Sequence, residues 1–99
     1  RGFSLPRHMA EHIYMFGGES VTVKMRTNTS MMDALVDWFS KDFRIMQEDA
    51  DELIVSVVCN EIAMKYWALQ YGEYVEVLEP KSLRDDICDA VDWMRKKYK

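Results

Sequence analysis

The sequence predicts an α+β domain with elements in the order β-α-β-β-α-β, closed by one further helix. Three observations carry that prediction. Val21, Val23 and Met25 alternate with Thr22, Lys24 and Arg26, the period-two pattern of a half-buried strand. Two short apolar runs, 43–47 and 53–59, flank the acidic stretch 48–52, which suits a solvated hairpin turn better than a strand interior. Leu83, Ile87, Ala90, Val91, Met94 and Tyr98 recur at helical spacing through the C-terminal segment.

Each element has its own signal. Residues 1–18 read as a connector from an upstream domain, punctuated by Pro6 and the Gly17–Gly18 pair, with a helical turn over 7–15. Phe3, Leu5 and residues 13–16 supply apolar contacts to this domain or to the upstream one. The domain proper spans 19–99. After the first strand, Ser30 and Asp33 have capping-box spacing, and Met32, Leu35, Val36 and Phe39 form one buried helical stripe. The hairpin follows. Asn60 caps the next helix, on which Ile62, Ala63, Tyr66 and Leu69 share a face, and Gly72 supplies a left-handed stop. Residues 74–78 make the last strand, broken by Pro80. Ser82 and Asp85 repeat the capping-box spacing at the closing helix. Acidic residues gather in its first half and basic ones in its last turn, opposing the helix macrodipole. This order is that of the split βαβ, or ferredoxin-like, architecture. Right-handed crossovers place the first and third strands centrally and the first two helices on one sheet face.

Composition bounds the function. Ninety-nine residues, 48% apolar and 30% charged, suit one soluble globular domain with a single core. A net charge of -4 argues against a whole-domain footprint for DNA or an anionic membrane, although a local basic patch is compatible with it. No apolar run approaches the ~18 residues of a membrane span, and no signal peptide is visible. Cys59 and Cys88 suit free thiols in a reducing cytoplasm, with one disulfide as the open alternative. Because it begins at Arg1, the chain reads as a piece of a longer protein.

The pieces HIYMFGGESVTVKMR, LVDWFSKDFRIMQE and YWALQYGEYVEVLEPKSLRDDI resemble the C-terminal extension, or WCX domain, of WYL-domain transcriptional regulators. The similarity covers roughly residues 12–98. Its most specific parts are the glycine pair before the first strand, the Trp38–Phe39 helix end, and the segment from Tyr71–Gly72 to Pro80 followed by Leu83–Arg84. The resemblance implies a bacterial regulator with an upstream winged helix-turn-helix that binds DNA. It also implies a small WYL β-barrel whose effector is a nucleic acid or nucleotide, and this extension dimerises or gates that site. It implies no enzyme and no cofactor. The chain itself has no Trp-Tyr-Leu tripeptide; the nearest text is Lys65–Tyr66–Trp67. No effector-contacting residue of the barrel is carried over.

Candidate chemistry is sparse. His8-Met9-Ala10-Glu11-His12 matches a zinc-protease pattern, but it sits in the connector with no companion helix to supply a third ligand, so it reads as coincidence. Glu48, Asp49, Asp51 and Glu52 lack the glycine and length of a calcium loop and read as a hairpin tip. Neither cysteine has an activating His or Arg beside it in sequence. Eight methionines give adaptable packing and imply no cofactor.

The sharper candidates are Lys24, Arg26, Arg44 and Trp93. The first three project from the sheet face opposite the helices, which Ile54, Ser56 and Val58 share, with Met46 nearby. Three readings of that mixed face stand open: cover by the connector or closing helix, contact with a second subunit or the barrel, and direct contact with nucleic acid. Trp38, Trp67 and Trp93 flank their helices' main stripes, where they either widen the core contact or anchor an interface; Trp93 is the first choice for an anchor. A rival reading of the whole chain is a small-molecule sensor with effectors bound between paired sheets. The first strand-to-helix loop, 27–29, has no glycine for close approach to a ligand, which disfavours it.

Overall fold

A computed structural model describes residues 20–40 and 42–99. The expected connector 1–18, with its His8–His12 motif, lies outside the described residues. The chain is α+β: among the described residues a four-stranded antiparallel sheet carries three α-helices. The strands are β1 (Ser20–Asn28), β2 (Phe43–Asp49), β3 (Glu52–Asn60) and β4 (Glu76–Glu79), and the helices α1 (Met32–Phe39), α2 (Glu61–Gln70) and α3 (Lys81–Lys97). A short 3-10 turn, Thr29–Met31, precedes α1. Sheet order is β2-β3-β1-β4, so the first and third strands are central.

Alternation decides the faces. Val23, Met25, Leu53, Val55 and Val57 point inward and are buried with Leu35, Phe39, Met64 and Trp67 of the first two helices. Registers of Val23 with Val57 and Met25 with Val55 put these side chains directly opposite one another. Trp67 sits at the centre, edge-on to Phe39 with ring centroids 4.9 Å apart and tilted against Tyr71 at 4.9 Å. Trp38 Nε1 donates to the Tyr71 hydroxyl at 3.1 Å, tying α1 to the end of α2.

Several local expectations are corrected. Asn28, not Ser30, caps the entry to α1: its side-chain oxygen accepts from the Ser30 backbone N–H and from the Ser30 hydroxyl. On α1 Leu35, Trp38 and Phe39 are buried, while Val36, expected on the buried stripe, faces out. On α2 the buried face is Ala63, Met64, Trp67 and Ala68, while Ile62 and Tyr66 are exposed. The helix is apolar on both sides, and the indole of Trp67 takes the interior because it fills more of the space under the sheet. Asn60 does cap α2, accepting from Ala63 N–H at 3.0 Å.

Gly72 is not left-handed. A Cβ there would lie 3.3 Å from the Leu69 carbonyl oxygen, so glycine serves the close approach of backbone to the helix end. The strands extend into the acidic stretch, leaving a two-residue turn at Ala50 and Asp51 with φ 54° at Ala50. β4 starts at Glu76 rather than at Tyr74, whose carbonyl instead accepts from Thr27 Oγ1 at 2.7 Å. Ser82 does not cap α3. Helix α3 begins two residues earlier than a Ser82 cap would set it, at Lys81 after Pro80, and the Ser82 hydroxyl donates to Glu61 Oε2 at 3.0 Å.

Candidate interaction surfaces

The sheet face away from α1 and α2 carries Thr22, Lys24, Arg26, Arg44, Met46, Ile54, Ser56 and Val58. Lys24 and Arg44 both pair with Ser56, so the three stand in one row across β1, β3 and β2. Neighbouring strands lie ~4.8 Å apart, which puts the backbones of the two cations about 10 Å from each other. Thr22, Asp42, Arg44, Met46, Ser56 and Val58 line a shallow depression of about 380 Å³ on this face. Met46 is 55% exposed and Val58 49%, so no other described element covers them.

The cations here differ from one another. Arg26 is committed: Nη1 donates to Glu76 Oε1 at 2.8 Å and Nε lies 3.3 Å from Glu52. Arg84 on α3 donates to the other oxygen of Glu76 at 2.9 Å and to the Val77 carbonyl at 2.8 Å. The Arg84 hydrogen bond, followed by the charge of Arg26, holds the Glu76 carboxyl below the usual carboxylate range. This network fastens α3 to β1 and β4. Among the described residues Lys24 and Arg44 form no ion pair. The structure thus brings Lys24 and Arg44 together around Ser56 and assigns Arg26 a structural partner set.

Trp93 is elsewhere. It lies on α3, whose Leu83 joins the core on the helix-covered side, and it is 64% exposed. Only the first turns of α3 are seated, by Leu83, half-buried Ile87, Arg84, and the Lys65–Asp86 ion pair at 3.3 Å. From Val91 onward every residue is exposed. Trp38 and Trp67, by contrast, are buried core residues. An apolar groove of about 340 Å³ runs beside α3, lined by Leu69, Val75, Val77, Ile87 and Val91 among others.

Two features had no direct signal along the chain. The Glu52–Arg26–Glu76–Arg84 network joins residues far apart in the chain and depends on β4 pairing with β1. The groove depends on how α3 leans over α2. Alternation did identify the open face, but not that Ser56 stands between Lys24 and Arg44.

The remaining chemistry is quiet. Burial, with Asp42 and Glu61 nearby, pushes the Cys59 thiol up to about 12, so it is a poor nucleophile. Cys88 is exposed and free. Among the described residues no group of three or more His, Cys, Asp or Glu is placed to hold a metal. Nor is any helix among them long and apolar enough to cross a membrane. Asp49, Asp51, Glu52, Glu73 and Glu76 surround a broad depression with Arg26 at the hairpin end of the sheet. The family model of the WCX domain matches residues 17–94. No curated protein matches the chain.

Proposed function

Because the chain belongs to the WCX domain family, we propose that it is a non-catalytic accessory domain of a WYL-type bacterial transcriptional regulator. Its connectivity is then the ferredoxin-like split βαβ with an added helix. It works by protein–protein contact in the cytoplasm, forming the dimer or interdomain contacts that gate effector sensing. Effector and operator are bound elsewhere, the effector by the WYL barrel and DNA by a helix-turn-helix.

The observation that supports this reading is the open sheet face. Lys24 and Arg44 are unpaired among the described residues and lie beside half-exposed Met46 and Val58. Apolar side chains rimmed by uncommitted cations suit a protein partner, which can bury the first and pair the second. The near-neutral balance of the patch, with Asp42 at its rim and Glu79 in register with Lys24, suits nucleic acid less well.

Isothermal titration of the chain against the WYL barrel of its parent regulator, with sedimentation of the chain alone, tests the assignment. Val58→Asp and Lys24→Glu/Arg44→Glu are expected to weaken the contact at least tenfold, about 1.4 kcal/mol, with unfolding curves unchanged. Wild-type binding by both variants would remove the open face from the reading.

A further inference from the structure

We propose that the depression on the open sheet face binds a zwitterionic small molecule, an α-amino acid with an aliphatic side chain. This goes beyond the partner contact above, because the site is complete within this chain.

Two rows of side chains build the site. In one, Arg44, Ser56 and Lys24 stand abreast on β2, β3 and β1. In the next, Asp42, Val58 and Thr22 do the same: Thr22 is in register with Val58, whose N–H donates to the Asp42 carbonyl at 3.1 Å. Same-face residues of a strand lie two positions apart, so the rows are separated by about 7 Å. Asp42 and Arg44 both line the depression of about 380 Å³, with the hydroxyls of Thr22 and Ser56 beside them. Among the described residues none of Asp42, Arg44 and Lys24 enters an ion pair. Arg26, farther along the same face, is held by Glu52 and Glu76. The open charges are therefore confined to these two rows and include both signs.

The charges select the ligand. The Arg44 guanidinium presents parallel N–H donors that match a carboxylate. Ser56 stands under that carboxylate, and Lys24 approaches it from the opposite side. Asp42 accepts from an ammonium, with the Thr22 hydroxyl in the same row. In an α-amino acid both charged groups sit on one carbon. With a hydrogen bond of about 2.8 Å at each end, such a ligand spans the gap between the rows. Counting Glu79, in register with Lys24, the cluster holds two charges of each sign, so neither a simple anion nor a simple cation matches it. Half-exposed Val58 and Met46 give the ligand's side chain an apolar rest.

The test is a heteronuclear NMR titration of the chain with L-leucine. Parallel titrations use isocaproate, which lacks the ammonium, and isoamylamine, which lacks the carboxylate. L-Leucine is expected to shift the amide signals of Thr22, Arg44 and Ser56 saturably, and each half-ligand to bind about tenfold more weakly. Asp42→Asn and Arg44→Gln should each lower the affinity for L-leucine about tenfold, with amide signals outside the site unchanged. Lys97→Gln, far along α3, should leave it as in the wild type. Absence of a saturable shift with L-leucine overturns the proposal. So does equal binding of isocaproate, since the site then reads an anion only. Binding that survives both site variants, or that Lys97→Gln weakens as much, also overturns it. None of these outcomes bears on the partner contact, which is read by titration against the barrel.

Discussion

Helices α2 and α3 lie side by side and invert the usual relation between pattern and burial. Helix α2 has ten residues, apolar side chains on both flanks and a weak stripe, yet buries Ala63, Met64, Trp67 and Ala68. Helix α3 has seventeen residues and a clean stripe, yet buries Leu83 alone. The difference follows from neighbours. Helix α2 is enclosed by the sheet, the end of α1 and α3, so little of its circumference needs to be polar. Helix α3 touches the domain along its first turns and then runs past it. A strong apolar stripe therefore reports that a helix has a partner somewhere, and not that the partner is its own core.

The sharpest break of this comparison is a pair of tryptophan truncations. Trp67→Ala should cost ~3–5 kcal/mol in urea unfolding, the toll of a large cavity at the core centre, whereas Trp93→Ala should stay within ~0.5 kcal/mol at concentrations where the chain is monomeric. Equal losses would mean that α3 is seated along its whole length. Among the described residues the buried Trp67 Nε1 finds no hydrogen-bond partner, which offsets part of the favourable burial.

A smaller effect is expected at the start of α2. Asn60 is 1% exposed and its side chain satisfies the Ala63 N–H. Asn60→Ala should lower stability by ~0.5–2 kcal/mol, seen as a shift in the urea midpoint with unchanged slope. The analogous exchange in α3, Ser82→Ala, removes only an exposed contact to Glu61 and should fall within ~0.5 kcal/mol. A large loss at Ser82 would contradict the cap assignment given to Pro80.

The smallest effect lies in the ion network that fastens α3. Glu76 ionises in the folded chain below its ordinary 4.5, so its contribution is fully present above that value and is lost as pH falls through the lower folded one. The pairs are about half exposed, which limits the contribution to under about 1 kcal/mol. Thermal melts should show Glu76→Gln slightly less stable than wild type at pH 7, with the gap closing below pH 4.5. A gap that widens on acidification would reverse the sign of the linkage.

Much of this arrangement was legible because its signals are local. Alternation in 21–26 identified which side chains share the open face, and Asn60 announced the cap it makes. The misreadings have different causes. Ile62 and Tyr66 are as apolar as the residues that α2 buries, so the helix's rotation was decided by what fitted beneath the sheet. Ser30 and Ser82 stand at capping-box spacing from an acidic residue, but Asn28 and Pro80 fixed the helix starts first. For Arg26 the signal was absent altogether, since its partner Glu76 lies fifty positions away and reaches it only through sheet order.

The borders of the sheet carry a consequence of their own. Strand β2 shifts register between Ile45 and Gln47, and β4 is four residues long and ends at Pro80, which has no N–H to offer. Neither border presents an unbroken row of backbone donors and acceptors, the template on which foreign strands add and fibrils grow. Such borders are poor templates for copies to stack edge to edge. Contacts between them are left to side chains, which discriminate between partners and can be reversed.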